Sequence, residues 1–144
     1  MKRCTDSLEA CALGALIFAL VTAGCSDSRE DVRVTLCKDM VITQLAPAQS
    51  VTWKEAKTET RGYEYAAAKL QFSTPSGEGQ AVCYYNYNTV DETALTISDP
   101  LSAYSTSPFK MTLNGETLSR PALAQAIKNA MLKQGREFLD NFKK

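Results

Sequence analysis

Ser107 and Lys110 stand three positions apart in Ser107-Pro108-Phe109-Lys110. On a helix that spacing brings a hydroxyl and an amine together across one turn, where the amine can activate the hydroxyl as a nucleophile. The surroundings do not supply the helix, because Pro108 follows a loop-like run and a strand alternation begins at Phe109. Histidine is absent from all 144 residues, so no Ser-His or Cys-His pair exists to do the same work. Asp91 and Glu92 are neighbours and point to opposite sides of an extended chain, so they do not form an acid/base dyad by themselves. No catalytic residue and no cofactor are expected, and the chain reads as a non-enzyme.

The Ser-x-x-Lys spelling is shared with penicillin-binding enzymes, but their companion Lys-Thr-Gly and Ser-Asp-Asn motifs are missing here. A second resemblance is more specific. Met1, Lys2 and Arg3 precede the uncharged run Ala10 to Ala23, which ends Thr22-Ala23-Gly24-Cys25. At 1.5 Å per helical residue that run rises only about 21 Å, short of a bilayer core of about 30 Å. Positive start, short apolar middle and small-residue end are the build of a secretory signal peptide. The terminal tetrad resembles the lipobox of bacterial lipoproteins, with Thr22 where Leu is commonest. Membership implies removal of residues 1–24 and acylation of Cys25; what remains reads as a short tether over residues 25–30 and one domain over 31–144. Two or more acyl chains suffice for stable anchoring, so the first partner expected is a membrane, through lipid on Cys25. Ser26, where Asp would direct retention, implies the periplasmic face of a Gram-negative outer membrane, and the inner membrane if sorting differs.

Removing 24 of 144 residues leaves 120, enough for one core. The full chain carries 16 basic and 16 acidic residues, and the leader takes two of each sign with it, at Lys2, Arg3, Asp6 and Glu9. A balanced charge favours no nucleic-acid partner. With Cys4 and Cys11 in the leader and Cys25 lipidated, Cys37 and Cys83 remain. In an exported domain they read as one disulfide, with two buried thiols as the alternative. A metal site is not expected, since zinc would need two further ligands from a chain without histidine.

The elements that position these residues follow from periodicity. Ser28 and Asp31 approximate a capping box, and Val34, Cys37, Val41 and Leu45, with Met40, recur at helical spacing until Pro47, although Val32, Val34 and Leu36 also alternate like a strand. Val51 and Trp53 share a strand face, Thr58 to Gly62 is polar and turn-like, and Tyr63 to Ser73 is a second strand with Ala66, Ala68, Leu70 and Phe72 inward. Thr74 to Gly79 reads as a hairpin loop, and Gln80 to Thr89 as a third strand with Ala81, Cys83, Tyr85 and Tyr87 on one face. A short alternation at Ala94 to Ile97 suggests a fourth strand before a long loop. Phe109, Met111 and Leu113 then lead into Asn114-Gly115, a strong hairpin signal. Ser119 caps a final helix with Pro121 in its first turn, an apolar stripe of Leu123, Ile127, Ala130, Met131 and Phe138, and Lys143 and Lys144 suited to its C-terminal dipole. The fold expected is α+β: an N-terminal helix packed on an antiparallel meander, then a further hairpin and a C-terminal helix.

In that frame Tyr84, Asn86 and Asn88 face outward, a ring and two amides suited to peptide or sugar contacts, with Tyr63 and Tyr65 on the neighbouring strand as extensions. Tyrosines are also good strand residues in their own right, and that structural role competes with the binding one. The function expected is a membrane-anchored, non-catalytic periplasmic lipoprotein, a binding or accessory module that contacts an envelope protein or peptidoglycan. The alternative is a small cell-wall hydrolase working through carboxylates.

Overall fold

The computed structural model describes residues 30–45, 49–88 and 100–143. The leader, Cys25, Ser28, Pro47, Asp91, Glu92, the Ala94 to Ile97 alternation and Lys144 lie outside them. The described elements are helix α1 (Val32–Gln44), strands β1 (Thr52–Arg61), β2 (Tyr65–Thr74) and β3 (Gly77–Asn86), a 3-10 turn (Pro100–Ala103), strands β4 (Lys110–Leu113) and β5 (Glu116–Thr117), and helix α2 (Arg120–Phe142). The strands form one antiparallel sheet in the order β1-β2-β3-β4-β5. The expected α+β architecture is therefore present.

Asp31, rather than Ser28, caps α1: its carboxylate accepts from the Arg33 N–H at 2.8 Å. The Val32, Val34, Leu36 alternation is thus helical, and Val34, Cys37, Met40 and Val41 are buried against the sheet. Ala66, Ala68, Leu70 and Phe72 of β2 face them with Ala81, Cys83 and Tyr85 of β3 and Met111 of β4, and all are buried. The alanines leave room for the helix to approach closely. Cys37 and Cys83 meet in the middle of this layer at disulfide distance, with sulfurs 2.02 Å apart and Cα atoms 6.0 Å apart. Ser119 caps α2 by accepting from the Ala122 N–H, and α2 packs on α1 through Leu123, Ala126 and Ala130.

Several boundaries and one helix face differ from the sequence reading: β2 begins at Tyr65 rather than Tyr63, and β3 ends at Asn86, with Tyr87 in an isolated bridge to Tyr104. β1 continues through the polar run to Arg61, pairing Thr58 with Ala68 and Thr60 with Ala66, after a bulge between Trp53 and Glu55. As the edge strand it is held by backbone bonds to β2 while its last six residues remain exposed on both faces, so they carry no alternation to read. The second hairpin loop is only Pro75 and Ser76, since Thr74 pairs with Gly77. Glu78 and Gly79 belong to β3, and a Cβ at Gly79 would come within 2.5 Å of the Phe72 ring, which explains a glycine inside a strand. In α2 the apolar stripe divides: Leu123 and Ala130 are buried and Ile127 partly so, whereas Met131 and Phe138 are exposed. At Asn114-Gly115 both residues have positive φ, 52° and 86°, the mirror-image turn that matches strand twist.

Candidate functional site

The face of the sheet turned away from α1 has no described layer over it. Register places Tyr65 opposite Asn86, Ala67 opposite Tyr84, and Tyr84 opposite Lys110 on this face. Cys83 and Tyr85 point into the core, so alternation on β3 sends Tyr84 outward. The Tyr84 ring is half-buried because its neighbours prop it. Tyr65 meets it edge-on at 5.4 Å between centroids, Phe109 lies tilted at 6.4 Å, and the Lys110 ammonium sits 5.1 Å from its centre. Ala67 is buried despite facing outward, forming the floor of a groove of about 310 Å³ between Tyr84, Tyr65 and the Lys69–Glu59 ion pair.

Charge around this groove is paired rather than free. Lys69 Nζ lies 2.5 Å from Glu59 Oε2, and that hydrogen bond raises the lysine pKa. Arg61 donates to the Tyr65 hydroxyl at 3.5 Å and pairs with Glu64 at 3.4 Å. Glu55 is likewise held by Lys57 at 2.6 Å. Rings with paired cations and anions around a small-residue floor suit stacking and hydrogen-bonding contacts with a partner.

The structure divides the tyrosines singled out from sequence. Tyr65 and Tyr84 share the groove, with Asn86 exposed beside them. Tyr63, 82% exposed, instead meets Tyr87 edge-on at 5.1 Å, and Tyr87 meets the buried Tyr104 at 5.3 Å. Tyr63 lies in the β1–β2 turn, and the Tyr104 hydroxyl donates to the Gly62 carbonyl at 2.5 Å, fastening that turn. The Asn88 N–H donates to the Ala103 carbonyl at 2.7 Å while its side chain is exposed. Ser107 and Lys110 do not share a helix: the Ser107 carbonyl accepts from the Ser105 hydroxyl, and Lys110 opens β4. Cys37 and Cys83 are together, and Cys25 lies outside the described residues. Among the described residues no three His, Cys, Asp or Glu side chains group as metal ligands.

Phe109 and Lys110 join this surface although the sequence pattern does not single them out. Phe109 shares the parity of Met111 but precedes β4, and its N–H donates to the Tyr84 carbonyl at 2.9 Å, which places its ring beside Tyr84. Arg33 is the other unforeseen residue. It is 4% exposed, and its guanidinium donates to the carbonyls of Leu101 and Tyr104 at 2.5 Å and of Ser105 at 3.0 Å, with Asp31 Oδ2 3.1 Å away.

No protein-family model matches this chain, and it matches no curated protein and no solved structure.

Proposed function

We propose that this chain is a lipid-anchored, non-catalytic periplasmic lipoprotein whose domain serves as a binding module of a cell-envelope assembly. The observation that carries the binding half is the outward Tyr84 ring, propped by Tyr65, Phe109 and Lys110 on a sheet face that no described element covers. Rigid rings offer contact area at low entropy cost, and the adjoining Asn86 amide and Glu59–Lys69 pair add polar contacts at the rim. The partner is a peptide or saccharide segment of the envelope. The anchoring half is supported by the short apolar run closing on Cys25. A carboxylate hydrolase has less support, since Glu55 and Glu59 on this face are each engaged by a lysine.

Two experiments test the two halves separately. Cys25→Ser is expected to leave an unprocessed precursor that takes up no labelled fatty acid, and Ser26→Asp to move the protein to the inner membrane; normal labelling of the Cys25 variant would remove the lipoprotein claim. Tyr84→Ala in the anchored protein is expected to abolish co-purification of envelope partners while shifting stability by only about 1 kcal/mol or less. Large destabilisation with unchanged co-purification would make Tyr84 a structural ring.

A further inference from the structure

Helix α2 carries two apolar faces that do not coincide. Leu123, Ala126 and Ala130 face α1, and that same side continues as Lys133, Gln134 and Glu137, polar residues of which Lys133 and Gln134 bind Asp39 of α1. Met131, Leu132, Phe138, Leu139 and Phe142 form a second stripe, centred about 140° round the helix at 3.6 residues per turn. Each of these five is between 52% and 73% exposed, Phe138 and Phe142 stack edge-on at 4.6 Å, and Leu132 also lines a groove with Ile42 and Leu45 of α1. Arg136 and Lys143 border it along one edge, Lys143 within 4.0 Å of Asp140, and Lys128 lies in line with it one turn earlier, while Glu137 lies on the far side.

We infer that the last three turns of α2 lie flat on an anionic bilayer surface, with this stripe in the headgroup–acyl boundary and the bordering cations at lipid phosphates. An apolar face of Phe and Leu edged by Lys and Arg is the pattern of an interfacial helix, and α2 is not apolar enough to span. A second copy of the chain fits less well. The stripe covers fewer than two heptads where a coiled-coil seam needs about three or four, and Gly135 at its middle leaves open space instead of a knob. The inference rests on the envelope reading for the presence of a membrane, and on α2 alone for the contact.

The test mixes the full-length protein with phosphatidylethanolamine vesicles, with or without phosphatidylglycerol and with brominated acyl chains. A single tryptophan reporter is introduced as Phe138→Trp or Glu137→Trp, each in a Trp53→Phe background. Quenching at position 138 is expected to exceed that at 137 by about threefold or more, and to need phosphatidylglycerol. In the unaltered chain, amide exchange over residues 131–142 is expected to slow on the same vesicles, a result independent of whether the variants fold. Equal quenching at both positions, or unchanged exchange, overturns the inference. So does a position-138 reporter already shielded from iodide without vesicles in a protein that sediments as a dimer, since the second copy is then the occupant. Absence of fatty acid on Cys25 would remove the anchored reading while leaving the vesicle result intact.

Discussion

The Tyr85 hydroxyl donates to the Arg33 carbonyl at 2.7 Å, joining the centre of β3 to the first turn of α1 through a ring with no exposed surface. Burial pushes the Tyr85 phenol pKa well above its ordinary value, outweighing the nearby Arg33 charge that pulls it down. Below about pH 10, the ordinary tyrosine value, folded and unfolded chains both keep the proton and stability is complete. Above it the unfolded chain ionises first, so stability falls as pH rises toward the folded value. Melting temperature should therefore drop above pH 10, and Tyr85→Phe should make that drop shallower while costing about 1 kcal/mol at neutral pH. A variant with the wild-type slope would show that Tyr85 does not govern alkaline unfolding.

Arg33 donates to three carbonyls of the 101–105 segment, and a lysine ammonium cannot reproduce that planar fork. Arg33→Lys and Arg33→Met are both expected to destabilise, by about 2 to 5 kcal/mol, with amide exchange faster over residues 100–105 than elsewhere. Uniform exchange changes would mean that the clamp is not local.

The Cys37–Cys83 contact separates residues 46 positions apart, for which chain entropy gives about 4 kcal/mol if the bond forms. Even half of that should lower the melting temperature by about 8 °C on reduction or in Cys83→Ser, with the double variant adding little. Mass spectrometry of the alkylated, non-reduced protein taken from cells checks it directly: two free thiols would leave the pair reduced in the cell.

Asp39 is buried between the helices, accepting from Lys133 at 2.7 Å and Gln134 at 2.8 Å. Lys133→Met should cost about 1 to 3 kcal/mol by leaving that carboxylate short of a partner, and adding Asp39→Asn should recover part of the loss. Denaturant midpoints of the two single variants and the double one measure the coupling, and strictly additive losses would argue against it.

Alternation and turn chemistry made the order of elements readable. Ala66 to Phe72, Asn114-Gly115 and the Ser119 cap all stand where their residue types place them, and Tyr84 is outward because Cys83 and Tyr85 are inward. Where one face lacks a neighbour, the signal fails: Thr58 to Arg61 are a strand by backbone pairing alone. Tyr63 sits in a turn, where period-two reasoning has no hold, so its separation from Tyr65 and Tyr84 could not be foreseen. Arg33 shows the same limit in a helix. A charge amid a periodic apolar pattern reads as solvent-facing, and its carbonyl partners lie 68 to 72 positions away.

A pull on the chain at Glu30 would reach the Arg33 clamp within one helical turn and Cys37 four residues later. With Cys37 and Cys83 bonded, the load passes directly from α1 into β3, the third of five strands, and the residues between the cysteines bear none of it. About 150 Å of contour is thereby withheld from extension. Stretched from its N-terminal side, the oxidised protein would yield only the residues before Cys37 and those after Cys83, leaving the hairpin of β1 and β2 unloaded; the reduced protein would pay out the whole chain.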